Sequence, residues 1–286
     1  MRKFFKIIIL LTTFSTAVGA KPVPLPPLEI GIFPYLSTRA LLRAYQPLQE
    51  YLERQLQRPV NLVTAPDIRT FVERTQEGRY MYVVTAPHFA RLAQLEAGYR
   101  PLLRAERNLA GAFLARKNSD IRRIEDLRGK LLATPDSLSI VSVLGLELLK
   151  HKGLIPGKDV TIQSLPTHNS AVVSLQNGAV DAAVVSLTAF IQMTPMQRAG
   201  LNIILQTPEV PNVMYLASAK VSAAEAEVFI QALRQFTDQT PEGREFIDNL
   251  GYQGLRPPTE QELRSLDPYM DILKINLGSY PLAKPY

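Results

Sequence analysis

From Leu28 onward the chain alternates short apolar runs with longer stretches in which apolar residues recur every three or four positions. Leu28–Phe33 (LEIGIF) reads as a strand stopped by Pro34. Leu41, Tyr45, Leu48, Leu52 and Leu56 then mark one face of a helix that ends before Pro59. Val60–Val63 follows as a strand, Ile68–Thr75 as a helix and Met81–Val84 as a strand. Strands separated by helices pair in parallel through crossovers, so the pattern predicts an α/β sheet.

The same unit returns 100 positions later. Asn61–Ala86 laid over Thr161–Ser186 needs no gap and matches Pro66 to Pro166, Val72 to Val172, Gln76 to Gln176, Gly78 to Gly178 and Val84 to Val184. A glycine after a helix and a valine in a strand belong to the grammar of any such unit. The repeat therefore stands for two lobes of like topology rather than for a duplication.

Between the copies, Gly111–Lys117 reads as a strand, Ile124–Leu127 as a short acidic turn of helix, and Leu131–Thr134 as a buried strand. Ile140–Leu149 is a strongly apolar helix that closes on Lys150, His151, Lys152 and a glycine stop, the order the helix dipole favours. After the second copy, Val213–Ala217 reads as a strand. Helices are expected at Ala223–Phe236, Glu242–Leu250 and Thr259–Leu273, with no further strand among them. The partition expected is residues 28–107 plus 212–286 as one lobe and 108–211 as the other. Two crossings, near Asn108–Gly111 and Pro211–Val213, would join them.

The first residues carry a different signal. Arg2, Lys3 and Lys6 precede an apolar run from Ile7 to Leu11 that thins out to Val18, and Val18-Gly19-Ala20 offers small residues for cleavage. This is the layout of a secretory signal peptide over residues 1–20, and the run is too short and too hydroxyl-rich for a membrane span of ~20 apolar residues. Residues 21–27, rich in proline, read as an extended tether. The expected location is therefore the periplasm.

Composition adds constraints. The formal charge of +6 hints at nucleic acid, but three of those cations leave with residues 1–20 and the rest are scattered among carboxylates, so no nucleic-acid partner is expected. There is no cysteine, and His88, His151 and His168 are the only histidines, which leaves little material for a metal site. No metal and no cofactor are expected. Nucleophile-elbow, zincin, P-loop and dinucleotide motifs are all missing, which argues against an enzyme.

In open α/β sheets ligands sit beyond the carboxyl ends of strands, beside helix starts whose free N–H groups favour an anion. Four loops qualify. In the first, Tyr35 is placed to form a ligand wall, while Ser37 and Thr38 are candidate donors that equally read as an N-cap. The second offers Thr85 and His88, with Thr85 the better candidate. The third offers Ser137 and Ser139, with Asp136 expected as the cap of the apolar helix. The fourth offers His168 and Asn169, and a histidine at a helix N-terminus is expected to be neutral. Ser186, closing the second copy, is a weaker candidate, and His151 reads as surface.

Leu28–Leu56, Met81–Leu102, Ser119–Leu132 and Thr167–Ser186 together resemble the phosphate/phosphite/phosphonate-type substrate-binding proteins of ABC importers. The segment Ile121–Lys130 (IRRIEDLRGK), with its I-x-x-x-x-D-L-R-G-K pattern, is the most specific stretch. The resemblance implies a two-lobed, type II periplasmic-binding-protein fold with two inter-lobe crossover strands and a ligand cleft. It implies a monomer that closes on a small anionic solute, either a phosphonate-like oxyanion or a small organic acid, and docks on an inner-membrane permease. An exported sensor serving a membrane histidine kinase, or an enzyme on the same scaffold, are the alternatives. The family's Ser-Thr-Ser run falls here on Ser139-Ile140-Val141, its aromatic crossing residue near Leu109, and the acidic residue after its histidine on Asn169.

Overall fold

A computed structural model describes residues 26–278. Residues 1–20, expected as a leader, and all of the expected tether except Pro26 and Pro27 lie outside the described residues.

The chain begins with β1 (Leu28–Ile32), α1 (Thr38–Leu56), β2 (Val60–Val63), α2 (Ile68–Gln76), β3 (Tyr82–Thr85), α3 (Pro87–Ala97) and β4 (Arg100–Ala105). It crosses over and builds β5 (Gly111–Arg116), a 3-10 turn at Ile124–Leu127, β6 (Leu131–Thr134), α4 (Ile140–His151), β7 (Thr161–Ser164), α5 (His168–Gln176) and β8 (Ala182–Ser186). Two short helices, α6 (Leu187–Gln192) and α7 (Pro195–Arg198), lead to β9 (Leu201–Gln206). The return crossing delivers β10 (Met214–Ala217), α8 (Ala223–Gln239), α9 (Pro241–Leu250), β11 (Leu255–Arg256), α10 (Glu260–Arg264), a 3-10 turn at Asp267–Tyr269 and α11 (Met270–Asn276). None of the described helices is long and apolar enough to cross a membrane.

Two sheets result, ordered β11-β4-β10-β3-β1-β2 and β7-β6-β8-β5-β9. In the first, β1 pairs in parallel with β2 and β3, and β10 lies antiparallel beside β3. In the second, β6 pairs in parallel with β7 and β8, and β5 lies antiparallel beside β8. The two share one design: the strand that follows each crossing is inserted antiparallel next to the third parallel strand. The molecule is thus a two-lobed α/β protein. The repeat read in the sequence sits at equivalent places, α2 and α5 spanning residues exactly one offset apart and Gly78 and Gly178 both stopping their helices at positive φ (65° and 75°), which glycine adopts without strain.

Packing follows from the patterning. On α1, Leu41, Tyr45, Leu48 and Leu52 are buried with Tyr51, and fully burying each leucine contributes roughly 2 kcal/mol. Close approach dictates one glycine: a Cβ on Gly31 of β1 would come within 2.7 Å of the Tyr80 ring.

Three expectations are corrected. The helix expected over Thr259–Leu273 is α10, a 3-10 turn and α11, because Pro268 lacks the N–H and clashes with a continuing helix. The C-terminal segment does contain a strand, β11, a two-residue edge on β4. Asp136 is not the cap of α4; Ser139 is, and the Asp136 carboxylate instead accepts the Leu138 N–H at 2.8 Å.

The crossings are bonded to each other. Leu109 and Val210 exchange both backbone hydrogen bonds (2.8 and 2.9 Å), and the Thr207 N–H donates to the Gly111 carbonyl at 2.9 Å. Beside them, Arg104 is fully buried: it donates to the carbonyls of Ala105 and Glu106, to the Asn108 side chain at 2.6 Å and to Glu262. The Asn108 amide donates onward to Glu209 at 3.0 Å, tying the outgoing crossing to the returning one.

Candidate functional site

A cavity of about 400 Å³ lies between the two sheets, within the size range of small-ligand sites. It is built from the loops at the carboxyl ends of five parallel strands. The turn after β1 brings Tyr35, Leu36 and Ser37; the turn after β3 brings Ala86 and Pro87. The second sheet brings Ser139, Ile140 and Val141 after β6, Thr167, His168 and Asn169 after β7, and Ser186, Thr188 and Ala189 after β8. Leu109, Asn212 and Val213 of the crossings form its back, and Asn249, Leu250 and Tyr252 at the end of α9 complete it.

The helix starts differ in what they have left to offer. Ser37 caps α1, accepting the Ala40 N–H at 3.4 Å. Thr167 caps α5 in a reciprocal box with Ser170, so its hydroxyl is committed within the turn. Ser139 caps α4 by position only, its hydroxyl making no cap bond. The first N–H groups of a helix have no partner within the helix and carry the positive end of its dipole. On α4 the residues that carry them, Ile140 and Val141, line the cavity beside Ser139, whose hydroxyl is not spent on capping.

His168 sits half-buried on the wall, and its Nδ1 accepts the Ser186 N–H at 3.2 Å. That bond places the ring proton on Nε2. Desolvation of the ring pulls its pKa down to about 4, so the side chain is a neutral donor at physiological pH. Ser186 caps α6 by accepting the Ala189 N–H at 3.3 Å, which leaves its own proton to donate. Asn212 accepts the Val213 N–H at 2.8 Å through Oδ1, leaving its amide hydrogens as donors. On the first lobe's side Tyr35 stacks on Phe33, with ring centroids 5.6 Å apart, and Tyr252 shares a 3.1 Å hydroxyl–hydroxyl bond with the buried Tyr45. Burial pushes the phenols of Tyr35, Tyr45 and Tyr252 up, so all three stay protonated.

Of the residues the sequence singled out, Tyr35, Ser37, Ser139, His168, Asn169 and Ser186 come together on this wall. The other four do not. Thr38 is exposed on the first turn of α1. Thr85 is sealed inside β3, its hydroxyl without a partner among the described residues. His88 is fully buried, donates from Nε2 to the Leu138 carbonyl at 2.8 Å and has its pKa pulled down to about 4 by burial. Ser137 is exposed, and its carbonyl accepts the Asn276 amide at 3.1 Å. Ser142, the other hydroxyl near the α4 start, is turned away onto the carbonyls of Pro135 and Asp136. Sequence reasoning missed Asn212 and Tyr252, which reach the wall from the far end of the chain and belong to no local motif.

No carboxylate, lysine or arginine is among the cavity's lining residues, and the described residues contain no cluster of three groups suited to a metal. The arrangement is a box of uncharged donors with apolar flanks, able to bind and orient an anion.

Residues 30–263 match the family model of ABC transporter, phosphonate, periplasmic substrate-binding proteins. The chain belongs to this family. Substrate binding for transport is accordingly its function, and small anionic solutes are the class the family and its structural relatives handle. The fold agrees with several solved structures. A binding-protein component of an ABC phosphonate transporter from Pseudomonas aeruginosa superposes with a TM-score of 0.75 at 15% identity, covering 89% of each chain. PhnD1 from Prochlorococcus marinus in complex with methylphosphonate gives 0.75 at 13% identity, covering 88% of this chain and 98% of its own. The periplasmic aliphatic sulphonate binding protein SsuA of Escherichia coli gives 0.63 at 21% identity, covering 88% and 93%.

Proposed function

We propose that this substrate-binding protein captures a small oxyanion with an uncharged body in the inter-lobe cavity, and that Ser37, Ser139, His168, Asn169 and Ser186 hold it. The observation that supports this most is the start of α4, where Ser139, Ile140 and Val141 line a cavity free of any lining carboxylate and the Ser139 hydroxyl is not spent on capping. Residues 28–107 with 212–278 move as one lobe and 108–211 as the other, bending where the paired crossings run side by side at Leu109 and Val210. The closed form docks on an inner-membrane permease, and the protein reaches the periplasm as a monomer after removal of residues 1–20. Binding is its whole activity, with no turnover of the solute.

The test is thermal unfolding across a panel of alkylphosphonates, alkanesulfonates, inorganic oxyanions and small carboxylates. A ligand at 100 times its dissociation constant should stabilise the protein by ~2.7 kcal/mol. No shift with any anion would refute the assignment.

A further inference from the structure

The charge and proton inventory of the cavity wall goes further than anion binding. Four polar groups on it each have one acceptor position taken by a backbone N–H and keep a donor to offer. The His168 Nδ1 is taken by the Ser186 N–H, the Ser37 oxygen by the Ala40 N–H, the Ser186 oxygen by the Ala189 N–H, and the Asn212 Oδ1 by the Val213 N–H. The Thr167 hydroxyl is closed on Ser170. The N–H groups of the α4 start add donors only. No lining residue is a carboxylate to accept a proton from a ligand, and none is a lysine or arginine to balance a second negative charge.

A phosphonate near neutral pH either keeps one P–OH, which wants a strong acceptor, or loses it and carries two charges, which want a cation. A sulfonate does neither: it has one charge and three oxygens that only accept. From this wall we infer that the protein discriminates for singly charged, proton-free oxyanions, alkanesulfonates above the equivalent alkylphosphonates. The alkyl group would lie against Leu36, Leu109, Val141, Met193 and Leu250, and an ammonium on that group would find no counter-ion there. The inference rests on the solute-binding reading of this cavity and narrows it to one chemical class.

Titration calorimetry on the intact chain at pH 7 tests it with ethanesulfonate and ethylphosphonate, which share one alkyl group. Ethanesulfonate should bind at least tenfold more tightly. Equal or tighter binding of ethylphosphonate overturns the inference while leaving anion capture intact. Binding of carboxylates but of neither probe does the same, and silence from all anions removes the underlying reading as well. In Asn169→Asp the new carboxylate sits in the first turn of α5, where the helix dipole tolerates it. It should weaken ethanesulfonate tenfold or more and narrow or reverse the preference. An unchanged ratio of the two affinities in that variant would also contradict the inference.

Discussion

His88, on α3 of the first lobe, donates from Nε2 to the backbone carbonyl of Leu138, 2.8 Å away in the loop between β6 and α4 of the second. The Leu138 side chain is itself buried in an apolar cluster with Val72, Phe89, Leu92, Met270 and Leu273. A histidine that reads in the sequence as a ligand donor is thus a fastening between lobes, set next to the helix start that faces the cavity.

His88→Ala removes a fully buried ring and orphans a buried carbonyl, so the protein should lose about 3 kcal/mol of unfolding free energy. Because the ring is not on the cavity wall, ligand affinity measured on the folded fraction should change by less than tenfold. Urea denaturation with parallel calorimetry checks both; a loss under 1 kcal/mol would mean that the fastening carries no weight.

The pH dependence of stability has a definite sign. His88 and His168 have pKa values near 4 when folded, against 6.5 as the unperturbed value. As pH falls the unfolded chain therefore takes up their protons first. Their contribution is complete above about pH 6.5 and is lost progressively down to about pH 4, on the order of 3 kcal/mol for the fully buried His88. Glu262, held down to about 2 chiefly by its hydrogen bonds with Arg256, loses its contribution only below its ordinary value of 4.5. Urea midpoints should drop between pH 7 and pH 5, and the drop should be smaller in His88→Gln. A flat profile over that interval would contradict the assignment.

Ser139 and Ser37 separate binding from capping. Ser139→Ala touches no cap bond and should cost under about 0.5 kcal/mol of stability, yet weaken anion binding roughly tenfold. Ser37→Ala gives up the bond to Ala40 and should cost ~1 kcal/mol of stability as well. Thermal unfolding without and with ligand reads the two quantities; equal stability losses would show that Ser139 caps after all.

Glu262→Gln leaves the buried Arg104 without its carboxylate, and removing one member of a buried ion pair costs about 3 kcal/mol or more. Since Arg104 also holds Asn108 at the crossing, the variant should show faster amide exchange at Asn108–Ala110. A stable variant with unchanged exchange there would dismiss the hinge role of this network.

Local regularities were legible from residue order. The 3.6-residue spacing of Leu41, Tyr45, Leu48 and Leu52 specified α1, and the offset pair of βαβ units specified two sheets of like design, because both are short-range consequences of which face must leave water. The stretch Arg100–Ala105 shows why β4 was missed: a proline and two arginines disguise a strand whose Arg104 is nonetheless wholly buried, neutralised by Glu262 from 158 residues away. The same holds for the site. Helix starts were legible at Ser37, Ser139 and His168, but residue order could not say which way each faces.

The amino-acid sequence by itself determined the alternation of strands and helices, the doubled unit and the hydroxyl-rich helix starts, since each depends on neighbours a few residues apart. Only tertiary structure decided that His88 faces Leu138 rather than the cavity, that Ser139 rather than Asp136 heads α4, and that Asn212 and Tyr252 join the wall. Those outcomes hang on contacts between distant segments, where burial and the demand that every enclosed polar group find a partner select one orientation among several the local sequence allows.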